Sequence, residues 1–235
     1  MEILYGILLY LGFMIYGYLV GSIPFAVIIS KSLKHLDIRE YGSHNAGGTN
    51  VGRVLGKKYG ALVIFLDMLK TAFGIWTAIL FLRNSGLEKY YLFSMPELYY
   101  YSIALFISIG HCFPIFSDFR GGKAVSTFFG TLLSFSPILT IMTLIVFLII
   151  LKIKKYVSLA SMLSSFIGSL FTLLILIPQL RPILLYPTLS GSYILFISTF
   201  LSSLFLIYRH KDNIRRIKEG KESKIKWMKW KVIIL

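Results

Sequence analysis

Long apolar runs alternate along this chain with short polar segments rich in glycine. The runs occupy residues 3–30, 59–82, 98–118, 124–151, 156–177 and 183–208. Each has the length a helix needs to cross a bilayer. The fourth is too long for one crossing, because a straight helix of that length would measure roughly 42 Å against a hydrocarbon core of about 30 Å. It carries SFSP at 134–137, and Pro137 after small polar residues predicts a break there.

Basic residues decide how the runs are threaded, since cytoplasmic loops of membrane proteins carry an excess of Lys and Arg. If the fourth run is a hairpin turning at Phe135 to Pro137, several basic segments come to one face. These are the loop 31–58, Arg120 with Lys123, the KIKK loop at 152–155 and everything from Arg209 onward, together 21 of the 25 basic residues. Six crossings would divide them between two sides. The expectation is therefore an all-α polytopic membrane protein with seven transmembrane helices, two of them short (124–135 and 137–151). The N-terminus is expected outside and the C-terminus in the cytoplasm. Residues 1–208 read as one transmembrane domain and 209–235 as a basic tail. Met1 to Ser30 begins with Glu2 in place of a basic stretch and lacks a small-residue cleavage site, so it is expected to remain as a span.

Composition agrees: 56 % of residues are hydrophobic and the mean hydropathy is +0.75, which leaves no room for a separate soluble core. The net charge of +15 would suit nucleic acid, anionic lipid or an anionic substrate. Its concentration at one membrane face points to lipid and substrate and away from nucleic acid. Cys112 is the only cysteine, which excludes an internal disulfide and a cysteine-built metal site. The four histidines are scattered and the carboxylates near them few, so neither a metal nor a cofactor is expected.

Four polar segments meet at the basic face: YGSHNAGGTNVGR at 41–53, HCFPIFSDFRGGK at 111–123, KKYVSLAS at 154–161 and YRHKDNIRR at 208–216. They supply glycines, hydroxyls, amides, a histidine and cations, but few acids. That inventory suits phosphate, because glycine lets backbone N–H groups converge on an anion while Lys or Arg supplies charge. Gly121, Gly122 and Lys123 have this arrangement, although an ordinary glycine turn with a snorkelling lysine gives the same tripeptide. Neither common nucleotide fingerprint fits, so ATP is not implied. Five residues past His35, His44, His111 and His210 stand Glu40, Thr49, Phe116 and Arg215, so the HxxxxD device of many acyltransferases is missing. Cys112 adjoins His111, but neighbours on a helix diverge, and a cysteine nucleophile is not expected. Asp67 and Lys70 are spaced to share a helix face, either as a tether between helices or as part of the chemistry. The tyrosines between 90 and 101 read as an interfacial belt on the outer side. Lys218–Lys231, with Trp227 and Trp230, reads as an anchor on anionic lipid.

Taken together, GSIPF at 21–25, DIREYGSHNAGGTNVGR at 37–53, LDMLK at 66–70, GHCFPIFSDFRGGKAVST at 110–127, KYVSLAS at 155–161 and RHKDNIRRIKEGKE at 209–222 resemble one family. It is the bacterial PlsY-type acyl-phosphate:glycerol-3-phosphate acyltransferases, and the resemblance covers nearly the whole chain in order. It implies a seven-helix enzyme of the bacterial inner membrane with a cytoplasm-facing site, completed by residues 209–216. Such an enzyme moves a fatty acyl group from acyl phosphate to the 1-hydroxyl of glycerol 3-phosphate, giving lysophosphatidic acid for phospholipid synthesis. The enzyme that makes acyl phosphate becomes a candidate partner. By motif position, His210, Ser43 and Lys123 are the catalytic candidates. Asn45, Arg53, Gly121, Gly122, Lys123, Ser161, His210 and Asn213 are the substrate-binding ones. His44 and Ala124 stand where the family usually has glycine, and Gly48 where it has alanine.

An acyl phosphate is a mixed anhydride whose leaving group departs as phosphate, so the protein has mainly to hold and align two anions. His210 is open to two roles, as base for the glycerol hydroxyl or as phosphate ligand, with the substrate phosphate taking the proton in the second case. Two readings from other classes remain. One is a transporter of phosphate or an organic phosphate, which would place its groups near the midplane. The other is a non-catalytic scaffold held by its basic tail.

Overall fold

The computed structural model describes residues 1–186 and 193–225, and among these it is all-helical, with no strand. The helices are α1 (Glu2–Gly21), α2 (Phe25–Lys34), α3 (Gly48–Val54), α4 (Lys57–Asn84), α5 (Pro96–Cys112), α6 (Val125–Phe135), α7 (Pro137–Lys154), α8 (Val157–Phe171), α9 (Arg181–Leu184), α10 (Tyr193–Arg209) and α11 (Lys211–Lys218). Among the described residues five segments are long and apolar enough to cross a membrane: Glu2–Lys34, Lys57–Asn84, Pro96–Ser117, Pro137–Lys154 and Val157–Leu176. α10 followed by α11, bent by 55°, makes up to a sixth, and α6 is a shorter apolar helix. The chain is thus a polytopic helical membrane protein.

The fourth apolar run divides where its sequence predicts. α6 ends at Phe135, Pro137 takes the first position of α7 where its missing N–H costs nothing, and Ser136 Oγ accepts from Leu139 N at 3.0 Å as the cap. The first run behaves differently from the single stretch expected. α1 stops at Gly21 and α2 starts at Phe25, because Pro24 has no N–H to give and keeps Ile23 out of helical geometry. At the break the Ile23 carbonyl accepts from Phe25 N at 3.3 Å and from Lys70 Nζ on α4 at 2.7 Å.

Close helix crossings rest on small residues, as expected where lipid offers no competing hydrophobic drive. α1 lies against α5 so tightly that a Cβ on Gly21 would overlap the Ile107 carbonyl, and one on Gly110 the Tyr18 carbonyl. Tyr99, Tyr100 and Tyr101 do not form the interfacial belt expected of them. All three are buried in the core of the bundle, where Tyr101 meets Phe135 edge-on at 4.8 Å and Tyr99 meets Tyr10 at 5.5 Å. The first turns of α5 run inside the packing of α1 and α10, and Tyr90 and Tyr91 before them are half-buried. Of the proposed lipid anchor at 218–231, Trp227 and Trp230 lie outside the described residues.

Candidate active site

The four polar segments converge on one cavity of about 370 Å³, walled by α3, α4, α6, α7, α8 and α11. Its polar lining includes Ser43, Asn45, Arg53, Lys123, Ser158, Ser161, His210, Asn213 and Glu222. Its apolar lining is formed by Ile64, Met68, Val125, Phe129, Leu144 and Phe147. Of these, Ile64 and Leu144 are also exposed at the protein surface.

The first loop is held by buried polar side chains. Asn50 Oδ1 accepts from Ser43 N at 2.8 Å while Asn50 Nδ2 donates to the carbonyls of Tyr41 at 2.9 Å and Ile38 at 3.1 Å. Arg39 clamps Asp37 and reaches across to donate to the Ser117 carbonyl at 2.7 Å and to Asp118 at 3.2 Å, joining the first loop to the second. The Arg39 guanidinium beside Asp37 holds that carboxyl down to about 2. Arg53, at the end of α3, lines the cavity with its guanidinium exposed.

The three departures from the family pattern now have a geometry. His44 and Ala124 both sit in the left-handed region, at φ 55° and 61°, where glycine is least strained. His44 gains a hydrogen bond between Nδ1 and the Arg39 carbonyl, 3.1 Å. Gly48 lets α3 approach α4, since a Cβ there would come within 2.6 Å of the Gly60 carbonyl.

Gly121 and Gly122 stand apart from the cavity lining. Their amides donate to the carbonyls of Cys112 (3.2 Å) and His111 (2.9 Å), so neither points at an anion. Their small size seats the turn on the end of α5: a Cβ on Gly122 would overlap the His111 ring, and one on Gly121 the His111 carbonyl. The effect is to present Lys123 to the cavity. Lys123 Nζ donates to Asn213 Oδ1 at 2.6 Å, and burial, reinforced by Arg216, pushes its pKa down to about 8.

His210 immediately precedes α11 and is buried. Its Nδ1 donates to the Leu206 carbonyl at 2.8 Å, which leaves the lone pair on Nε2. Burial, with Lys123 and Arg209 nearby, lowers its pKa to about 4, so the ring is neutral at pH 7. Ser161 lines the same wall and donates its hydroxyl to the Val157 carbonyl at 2.9 Å.

Two groups around the cavity lie within the quoted motifs without being among the expected site residues, although Asp67 and Lys70 stand out in the sequence as a pair on one helix face. Glu222 lies six residues past the segment 209–216 expected to complete the site. Its carboxylate accepts from Ser158 Oγ (2.6 Å), Asn213 Nδ2 (2.7 Å) and Arg216 Nε (2.8 Å). Burial works to raise this carboxyl, but the three donors outweigh it and hold it below the ordinary range. Asp67, Lys70 and His111 form a second cluster, with Lys70 Nζ 2.7 Å from Asp67 Oδ1 and 3.3 Å from His111 Nδ1. Asp67 and His111 line the cavity. The signal for this cluster was present in the sequence, as ionisable residues inside apolar runs. For Glu222 only the fold brings the tail back over α8. Among the described residues no three His, Cys, Asp or Glu side chains are grouped to hold a metal.

A cavity lined by both cationic and apolar side chains, set within a polytopic helical bundle, suits an anionic amphiphile. Comparison with known proteins narrows the class. The model of the glycerol-3-phosphate acyltransferase family matches residues 11–220. Proteins named glycerol-3-phosphate acyltransferase are similar at 40 % identity in Listeria monocytogenes, over 90 % of this chain and 94 % of the relative. In Staphylococcus aureus the identity is 38 %, over 90 % and 96 %. The crystal structure of PlsY, an integral membrane glycerol 3-phosphate acyltransferase, in its glycerol 3-phosphate form matches with a TM-score of 0.73 at 34 % identity, covering 92 % of this chain and 95 % of that one. Its lysophosphatidic acid form matches with a TM-score of 0.72 at 33 % identity. The chain belongs to the glycerol-3-phosphate acyltransferase family.

Proposed function

We propose that this protein transfers a fatty acyl group from acyl phosphate to the 1-hydroxyl of glycerol 3-phosphate, releasing lysophosphatidic acid and phosphate for phospholipid synthesis. The observation that carries the reading is one cavity lined both by Lys123, Arg53, His210 and Asn213 and by the apolar side chains Ile64, Met68, Phe129, Leu144 and Phe147. A phosphate group fits the first set and an acyl chain the second. In this reading Ser43, Asn45 and Ser161 hydrogen-bond the two substrates, and Gly121 with Gly122 act by seating Lys123.

The reaction needs little acid–base help from the protein. The glycerol hydroxyl attacks the acyl carbon, the C–O bond to phosphate breaks, and the hydroxyl proton ends on a phosphate oxygen. His210, with a pKa of about 4, is a weak base and serves better as a neutral acceptor that orients the hydroxyl. Alignment of the two reactants supplies the larger share, of order 7 to 11 kcal/mol for well-oriented groups.

The same proposal includes seven crossings, formed by α1, α4, α5, α6, α7, α8 and α10, with α6 as a short one. The N-terminus lies outside, and the site and tail lie in the cytoplasm. Residues 1–208 then act as the transmembrane catalytic domain, with 209–235 as a tail whose start closes the site. The grouping of basic loops supports this orientation. The polar groups gather at one end of the bundle, which disfavours a midplane transporter.

Sealed proteoliposomes given external labelled glycerol 3-phosphate and palmitoyl phosphate test the proposal. Label appearing in lysophosphatidic acid supports it. Label accumulating unchanged in the lumen makes the protein a transporter, and membrane insertion with neither outcome makes it a scaffold.

A further inference from the structure

The cluster Asp67, Lys70 and His111 has no part in the scheme above, although two of its members face the cavity. Lys70 and Asp67 are almost completely buried on α4, and His111 is buried in the last turn of α5. The Lys70 ammonium donates to the Ile23 carbonyl at 2.7 Å and pairs with Asp67 Oδ1 at 2.7 Å, which balances its charge. Its third neighbour is His111 Nδ1, at 3.3 Å.

His111 Nδ1 faces both Lys70 Nζ, at 3.3 Å, and Asp67 Oδ1, at 3.5 Å; an ammonium can only donate, so the shorter contact is made with Nδ1 accepting. A neutral imidazole with Nδ1 accepting carries its proton on Nε2. An imidazolium there would set two cations 3.3 Å apart around one carboxylate. Lys70 therefore fixes the tautomer, as a carboxylate or carbonyl does in the opposite sense for many histidines. Among the described residues His111 Nε2 has no hydrogen-bond partner. It lies against Gly122, where a Cβ would overlap the ring, and His111 lines the cavity together with Lys123.

We propose that His111 is a catalytic residue, whose Nε2–H donates to the carbonyl oxygen of the bound acyl phosphate as that oxygen becomes an oxyanion. The inference rests on the acyl-transfer reading. Attack of the glycerol hydroxyl moves the carbonyl π pair onto oxygen. That pair returns when the bond to phosphate breaks, and His111 keeps its proton throughout. The donor is fixed and almost completely buried, which suits it to charge that exists only between ground states. Asp67 and Lys70 are positioning residues in this scheme, and Gly122 leaves room for the ring.

The test uses purified protein with palmitoyl phosphate and glycerol 3-phosphate, comparing wild type, His111→Ala and His111→Gln. Loss of one such donor is expected to lower kcat about 100-fold in His111→Ala. KM for glycerol 3-phosphate should stay within about twofold, because Lys123 still holds the phosphate. Gln, of similar reach and with an N–H donor, should recover about tenfold of that loss. Thermal stability of both variants in detergent is measured alongside, and His111→Gln alone decides the matter if the alanine variant does not fold. The inference is overturned if His111→Ala keeps its kcat. It is also overturned if both variants raise KM for glycerol 3-phosphate with kcat intact, the pattern of a displaced Gly121–Lys123 turn. A wild type that makes no lysophosphatidic acid overturns the acyl-transfer reading itself, whereas an active wild type with unaffected variants overturns only the role of His111.

Discussion

Lys123 gives the sharpest prediction, because its pKa of about 8 places its charge within reach of an ordinary pH profile. Burial and the nearby Arg216 and Arg209 disfavour the ammonium. The cation is therefore present below pH 8 and lost above it, well before an ordinary lysine would deprotonate. If the ammonium holds a substrate phosphate, kcat/KM for glycerol 3-phosphate should be level from pH 7 to 8 and then fall about tenfold per unit, since that ratio reports groups of the free enzyme. His210, already neutral above about pH 4, adds no step in this window. Below about pH 6 the phosphate monoester gains a proton, which supplies the acid limb. In Lys123→Arg the guanidinium stays charged throughout, so the alkaline fall should vanish whatever the absolute rate. In Lys123→Ala the fall should vanish too, at a rate lower by roughly 10- to 100-fold, the worth of a hydrogen bond to a charged group at about 1.5 to 3 kcal/mol. Phosphate release at fixed donor concentration, from pH 5.5 to 10, is the assay. A wild-type profile flat to pH 10, or an arginine variant that keeps the fall, would refute the reasoning.

Three further predictions concern the frame around the site. Ala124→Gly should raise stability by up to about 1 kcal/mol, since Ala124 has φ 61° and glycine relieves that strain; thermal unfolding in detergent would show a higher midpoint, and a lower one would contradict the argument. Gly110→Ala should cost about 2 to 3 kcal/mol by forcing α5 off the Tyr18 carbonyl of α1, visible as loss of folded, monodisperse protein. Glu222→Gln should lower kcat/KM about 10-fold at unchanged expression, because a neutral amide weakens the bonds from Ser158, Asn213 and Arg216 that hold Asn213 against Lys123; an unchanged rate would make Glu222 a fastening of the tail alone.

Much of this architecture is legible where one residue carries the constraint. Pro137 divides the fourth apolar run because a proline can open a helix but not continue one, and Ser136 beside it supplies the cap. Pro24 carries the same constraint, yet the apolar residues on both sides of it read as one span, and only the structure separates α1 from α2. The convergence of Ser43, Asn45, Arg53, Lys123, Ser161, His210 and Asn213 on one cavity follows from motifs that the topology brings to one face. Gly121 and Gly122 were legible as a tight turn, but the partners of their amides were not. A glycine pair that cradles phosphate and one that docks on the carbonyls of His111 and Cys112 have the same sequence. Tyr99 to Tyr101 mislead for a related reason: amphipathic aromatic side chains suit an interface and a buried core equally well, and helix packing decides between them.

The most direct test of the central claim is product analysis with purified protein in detergent, given palmitoyl phosphate and glycerol 3-phosphate. The account predicts phosphate and lysophosphatidic acid in equal amounts, dependent on both substrates and strongly reduced in Lys123→Ala. Folded protein that forms no lysophosphatidic acid, or that releases phosphate without needing glycerol 3-phosphate, would contradict it.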